Sequence, residues 1–458
     1  MTREKAITIA NSYFASGQFR NDLETLVAYE TESQNPDKFP VLRQYLSQAI
    51  GQRLQSSGFD FEIFENPITG GGPILTATRI EDPAMPTVLT YGHGDVVLGQ
   101  ADRWREGLHP YKLIEEGDRL YGRGTADNKA QHLINMAAIE SVLATRDELG
   151  FNLKIMLETS EETGSPGLQE FVKQQSEKLA ADVLIASDGP RLLPGHPTMF
   201  MGSRNAVNFT LSLKLREGSH HSGNWGGLLA DPAIILSHAL ASICDARGQI
   251  SVPEWRPGSL TDDVRSALAK LPVVEESSPR IDPNWGEESL TPTERAYGWN
   301  TFVILAMTSG TPEAPVNAIA PSARAFCQLR YVVGTDPQDI IPALRRHLDR
   351  HGFQRVGIET GTRQPVPATR MALDHPWVEF VQASLSKTAG VEPHMLPNFA
   401  GGLPNEVFAD TLNLPTIWIP HSYPGCSQHA PDEHVLKPTC RQGLKLMTGL
   451  FWDIGTKF

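Results

Sequence analysis

Cysteine is scarce in this 458-residue chain. The residues that occur, Cys244, Cys327, Cys426 and Cys440, lie far apart and show no C-x-x-C spacing, which excludes a disulfide framework and a cysteine-ligated zinc and fits a reducing compartment. Long apolar runs are missing as well. Nowhere do the roughly 18 consecutive apolar residues of a membrane-spanning helix occur, so no membrane partner is expected. The opening MTREKAITIANSYFASGQF mixes charges with an amphipathic run instead of an apolar signal core, and the expected location is cytoplasmic. Positive charge is in deficit too: 40 Lys and Arg against 53 Asp and Glu leave a net charge of -13. A general nucleic-acid surface is therefore excluded, because such binding rests on Lys and Arg neutralising phosphates.

What is present is ordinary globular composition, 40% hydrophobic and 20% charged, in a chain long enough for two or three domains of about 150 residues. Short β-rich runs stand at 87–91, 153–157, 182–186 and 416–419. Helical spacing marks 39–54 (Val41, Tyr45, Leu46, Ile50, Leu54) and 128–143 (Leu133, Met136, Ile139, Leu143). Strands alternating with helices predict an α/β fold, a mostly parallel mixed sheet with helices on both faces. From residue 201 a second pattern begins. A strand at 205–215 leads to a helix opening at Asp231-Pro232, and a strand at 322–333 leads to a helix from Asp336-Pro337 through Arg350 and a strand at 355–360. With a strand at 301–307, these predict a smaller α+β lid domain, residues 201–365, inserted into a catalytic domain of residues 1–200 and 366–458. Residues 251–300, rich in Pro, Glu, Ser and Trp, carry no assigned element.

Possible metal ligands follow the strands. His93 and Asp95 come after 87–91, Glu161 and Glu162 after 153–157, Asp188 after 182–186, and His429 ten residues past 416–419. The carboxyl ends of strands in an open α/β sheet are where loops converge on a ligand crevice. Each cluster alone reads as a solvated loop or a turn; turn residues seldom place all of them after successive strands by accident.

The segments TyrGlyHisGlyAspValVal (91–97), TyrGlyArgGlyThrAlaAspAsnLys (121–129), GluThrSerGluGluThrGlySer (158–165), AlaSerAspGly (186–189) and HisAlaProAspGluHis (429–434) resemble, in order and spacing, the motifs of the M20 family of dinuclear zinc peptidases and deacylases. Trp104, the Leu-Tyr-Gly-Arg-Gly run at 120–124 and the Ser-Asp at 187–188 place the resemblance nearest the carnosinase-like dipeptidases. It implies two divalent metal ions, zinc first, with manganese or cobalt compatible with the same donors. His93 would bind one, His429 the other, Asp127 would bridge them, and Glu162 and Asp188 would complete the two shells. Three carboxylates and a bridging hydroxide then balance the four positive charges. Glu161 would be the general base, expected to face away from Glu162 because consecutive residues in extended backbone point opposite ways. Asp95 would accept a hydrogen bond from the far nitrogen of His93. The peptide bond after Asp127 would be cis.

The resemblance extends to the lid. HisSerGly at 221–223 implies that His221 polarises the substrate carbonyl, often across a dimer interface. Asn317 and Arg330 fall where the family contacts substrate and binds its carboxylate, and Gly401 and Gly402 could cradle an anion with backbone N–H groups. A homodimer through the lid and a small peptide or N-acyl amino acid substrate with a free carboxylate are therefore expected. One segment departs from the pattern. Where the dipeptidase branch reads Arg-Glu-Gly-Gly-Ser-Ile-Pro, this chain reads PheAlaGlyGlyLeuProAsn at 399–405, which weakens the case for a standard dipeptide and favours an N-acyl amino acid or a more hydrophobic amide. Two alternatives stand beside the hydrolase: a non-catalytic metal-binding homologue, and a thiol hydrolase using Cys426 with His429 or His421.

Overall fold

The computed structural model describes residues 1–273, 279–361 and 365–457. Its main element is an eight-stranded mixed sheet in the order Asp60–Phe64, Ile74–Arg79, Asn152–Glu158, Thr87–His93, Val183–Ala186, Thr416–Trp418, Thr198–Phe200, His394–Leu396. The run from Asn152–Glu158 to Thr416–Trp418 is parallel. Antiparallel pairings flank it on both sides.

These central strands are apolar on both faces because both are covered. Val183 and Ile185 join the core on one side, under the helices Arg3–Ala15, Ala130–Arg146, Pro376–Ala389 and Lys437–Lys457; Leu184 and Ala186 join that on the other, with Tyr91, Phe200, Phe408 and Trp418. The helix expected at 128–143 runs from Ala130 to Arg146, and it is buried nearly all round, Gln131, His132 and Asn135 included. Other helices pack outside it, so the single apolar face read from the sequence understates its burial. No helix among the described residues is long and apolar enough to cross a membrane.

A three-stranded sheet, His434–Leu436, Arg119–Tyr121, Ile114–Glu116, lays the 429–434 segment beside the 121–129 segment.

Between residues 201 and 365 the chain forms a separate antiparallel sheet in the order Thr301–Ser309, Ser322–Tyr331, Asn205–Lys214, Gly357–Thr360. One face packs on the helices Pro232–Ile243 and Ile340–Arg350 in a core of its own. The Asp231 side chain caps the first helix, accepting from Ala233 N at 2.8 Å, as its Asp-Pro start predicts. The second helix begins at Ile340, four residues later than expected, because the Asp336 carboxylate accepts from Gln338 N at 2.9 Å and holds a turn there instead. The described residues of 251–300, a stretch with no element assigned from the sequence, do form regular structure. They contain the helices Asp262–Leu268 and Pro292–Tyr297, the latter opened by a Thr291/Glu294 capping box, and a fully buried Trp255 whose Nε1 donates to Ile340 O at 3.0 Å. Elements this short leave little periodicity to read. The two chain crossings to the large sheet run side by side, with Thr369 N donating to Ser203 O (3.0 Å) and Met371 N to Met201 O (2.7 Å).

Candidate metal centre

The parallel strands end at one place. His93 closes strand Thr87–His93, and Asp188 follows Val183–Ala186 by two residues. Glu161 and Glu162 follow Asn152–Glu158, and His429 lies on the loop after Thr416–Trp418 with a left-handed backbone (φ 60°). Asp127 comes from the Gly-rich segment after Arg119–Tyr121, and its peptide bond to Asn128 is cis.

Asp127 stands between the two histidines. Its Oδ1 lies 2.8 Å from His93 Nε2 and its Oδ2 3.0 Å from His429 Nε2. His93 Nε2 is also 3.7 Å from Asp188 Oδ2, and His429 Nε2 is 3.0 Å from Glu162 Oε2. Two donor sets result, His93–Asp127–Asp188 and Asp127–Glu162–His429, each with its ligand atoms within 4.8 Å of one another and with Asp127 in both.

The electrostatics of this cluster call for cations. Burial, then the nearby Asp127 charge, raises Glu162 to about 7 and Asp188 to about 6. Burial pushes Glu161 well above the carboxylate range. For Asp127 burial is outweighed by the hydrogen bonds from His429 and His93, and its carboxyl is held well below that range. Among the described residues, no Lys or Arg pairs with Asp127, Glu161, Glu162 or Asp188; the basic groups paired with Asp127, Asp188 and Glu162 are the imidazoles of His93 and His429. Clustered oxygen and imidazole donors without sulfur fit divalent zinc, manganese or cobalt.

Glu161 and Glu162 are not in extended backbone. Residues Glu161–Thr163 form a single 3-10 turn, so the geometric reason given for their opposite directions does not hold. What orients the pair is Asp95, whose Oδ1 accepts from Glu161 N and Oδ2 from Glu162 N, both at 3.1 Å. Asp95 therefore bonds the glutamate turn more directly than it bonds His93. The His93 Nδ1 lies 3.1 Å from the Asp95 backbone carbonyl and 3.5 Å from its carboxylate.

Residues that sequence reasoning left without a role complete the support. Glu433 is fully buried and accepts from Gly124 N (3.0 Å), Ala126 N (2.9 Å), Asp127 N (3.2 Å) and the Arg123 guanidinium (2.8 Å). It stands in the 429–434 segment, whose match to the motif was the available signal. Gln428 donates to Asp127 Oδ2. Asn128 Nδ2 donates to Ser187 O at 3.0 Å, and Glu158 accepts from Tyr91 Oη at 2.7 Å.

The residues expected from the lid lie elsewhere. His221 is exposed on the short strand His220–His221, paired with Ala318–Ile319 and hence beside Asn317. Arg330 is half-buried on Ser322–Tyr331. Among the described residues no hydrogen bond or ion pair joins His221, Asn317 or Arg330 to the cluster. Gly401 is half-buried and Gly402 exposed, on a loop whose Leu403 is buried. Cys426 is buried, with its thiol pushed up to about 11, and His421 is bonded to Ser187 Oγ (3.2 Å) behind Asp188. A protonated, covered thiol is a poor nucleophile, which removes the ground for the cysteine alternative. Two cavities of about 1130 and 730 Å³ are lined by no residue of the cluster.

The model of peptidase family M20/M25/M40 matches residues 89–453. A beta-Ala-His dipeptidase of Mus musculus is 26% identical over 473 residues, covering 95% of this chain and 93% of its own. A Cys-Gly metallodipeptidase of Saccharomyces cerevisiae is 30% identical over 218 residues, 44% of this chain and 45% of its own. In fold, the chain is similar to human carnosine dipeptidase 1 (TM-score 0.78, 22% identity, 99% of this chain and 100% of that one) and to a metallo-carboxypeptidase of Sulfolobus solfataricus (TM-score 0.79, 22% identity, 96% and 99%).

Proposed function

The chain belongs to peptidase family M20/M25/M40 and is an enzyme of that family, and on that footing we propose that it hydrolyses the amide bond of a small dipeptide or N-acyl amino acid with a free carboxylate. The observation that carries this reading is the pair of donor sets sharing Asp127. His93, Asp127 and Asp188 would hold one divalent ion and Asp127, Glu162 and His429 the other, zinc being the first choice. Bound there, the ions polarise a substrate carbonyl and lower the pKa of water towards about 7.

The remaining roles belong to side chains. Glu161 takes the proton of the attacking water and returns it to the leaving amine. Asp95 positions Glu161 and Glu162 through their backbone N–H groups. Arg330, with Asn317 and the Gly401-Gly402 loop, receives the free carboxylate, since a guanidinium offers it two parallel hydrogen bonds. His221 stabilises the developing oxyanion. For that it has to approach the metals, so residues 201–365 act as a lid, hinged where 201–203 and 369–371 run together, or a partner subunit supplies the histidine. Unpaired thiols at all four cysteines support a cytoplasmic setting.

An exposed edge supports the homodimer. Thr301–Ser309 is an outer strand of its sheet, and Val303, Ile304, Leu305 and Met307 on it are 43 to 57% exposed. Such an edge is a template for pairing, and a second copy would cover it. Leu305→Glu is expected to convert a dimer to monomer in sedimentation equilibrium; a wild-type protein that is monomeric at micromolar concentration would rule the interface out.

The central test is hydrolysis of a panel of dipeptides and N-acyl amino acids by protein stripped with chelator and reloaded with zinc, manganese or cobalt. Activity should vanish on stripping, return with metal and resist thiol reagents. Two bound metals with silence across the panel would leave a metal-binding homologue without amidase activity.

A further inference from the structure

The helix Ala130–Arg146 carries three buried polar side chains, Gln131, His132 and Asn135, each at most 3% exposed. Burying such groups costs free energy unless each finds a partner, so the places where their hydrogen bonds end carry information. Gln131 joins three segments. Its Nε2 donates to Ala126 O (3.0 Å) and to Gly189 O (3.4 Å), and its Oε1 accepts from His421 N (2.8 Å). Ala126 precedes Asp127, Gly189 follows Asp188, and His421 lies between strand Thr416–Trp418 and His429.

His132 and Asn135 reach the same loops. Asn128 Nδ2 donates to Ser187 O (3.0 Å), which leaves the amide oxygen of Asn128 towards His132 Nδ1, 3.3 Å away. That oxygen only accepts, so Nδ1 carries the proton and Nε2 accepts from Tyr45 Oη at 2.6 Å. Ser187 Oγ donates to Asn135 Oδ1 (3.2 Å). Apart from Tyr45 and His421, every partner of the three side chains among the described residues therefore adjoins Asp127 or Asp188 in sequence.

Those two aspartates are the carboxylates of the donor set His93–Asp127–Asp188, with ligand atoms within 4.8 Å of one another. Like charges this close repel, and among the described residues no Lys or Arg pairs with either, so the loops that carry them have to be held by other bonds. The second set is supported differently, Glu162 being placed through Asp95.

We propose that Gln131 is a positioning residue for the first metal ion: it fixes the spacing of Asp127 and Asp188, and His132 and Asn135 brace the same two loops. This rests on the reading above that the two donor sets hold divalent ions.

Calorimetric zinc titration of the chelator-stripped protein tests the assignment one site at a time. In Glu162→Ala, which leaves the first donor set, adding Gln131→Met is expected to weaken zinc binding by about 10–100-fold, the usual effect of losing an outer partner of a metal site. In Asp188→Ala, which leaves the second set, the same addition should leave the affinity nearly unchanged. If Gln131→Met does not fold, Asn135→Leu carries the test, since Ser187 Oγ keeps its contact with His421 Nε2 (3.2 Å), and it should weaken the first site alone. Thr145→Val is the control for a merely structural loss. Thr145 is a buried hydroxyl of the same helix whose bond, to Ser141 O at 2.8 Å, stays within it, so this variant should leave zinc affinity at both sites unmoved. First-site affinity unmoved in the variant that folds, equal losses at both sites, or a loss that Thr145→Val reproduces overturns the inference and leaves the two-ion reading standing. A stripped wild type that takes up neither zinc, manganese nor cobalt overturns both.

Discussion

Replacing Glu161 with alanine or glutamine is expected to leave metal content unchanged and lower kcat by about 10²–10⁴-fold, the usual contribution of a general base. Glu162→Ala should behave differently and lose metal. The distinction comes from what each side chain meets. Glu162 lies 3.0 Å from His429 and shares a donor set with Asp127, whereas Glu161 belongs to neither set. Yet Glu161 starts the same turn, is pinned by the same Asp95 carboxylate, and is held above the ordinary carboxylate range by burial. Metal analysis alongside steady-state kinetics decides the matter. A Glu161→Ala protein with wild-type turnover, or one that has lost metal while Glu162→Ala keeps it, would reverse the assignment.

The second large effect is expected at Glu433, which touches neither histidine of the cluster. Its carboxylate gathers three backbone N–H groups of the Gly124–Asp127 segment and the buried Arg123 guanidinium, which also donates to Ala430 O and Leu98 O. Glu433→Ala leaves that guanidinium buried without a counter-charge and three N–H groups without an acceptor, and breaking one half of a buried pair typically costs about 3–5 kcal/mol. Glu433→Gln keeps the shape but not the charge and should cost less. Both should loosen Asp127, so metal affinity should fall together with the denaturation midpoint. Wild-type stability and metal content in Glu433→Ala would show that the segment is held by other contacts.

The alternation of short apolar strands with helices already implied a sheet covered on both sides, because that pattern has few other ways to bury its apolar residues. The run of His, Asp, Glu and His after successive strands likewise implied convergence, since loops at the carboxyl ends of parallel strands share one edge. Hence His93, Asp95, Glu161, Glu162, Asp188 and His429 could be named from their places after the strands, while Asp127 and the choice of Glu162 as ligand came from the resemblance to the M20 motifs; His93, Asp127, Glu162, Asp188 and His429 meet in the structure. Local reasoning failed where distant segments compete for the same group. Nothing near Asp95 in sequence shows that its carboxylate caps the glutamate turn, and nothing near Glu433 shows that it holds a segment more than 300 residues away. Burial of the polar Gln131, His132 and Asn135 also depended on helices from both ends of the chain. Residue types and their order determined the chemistry on offer; hydrogen bonds and contacts between segments far apart in sequence, which no local periodicity encodes, decided which group each residue serves.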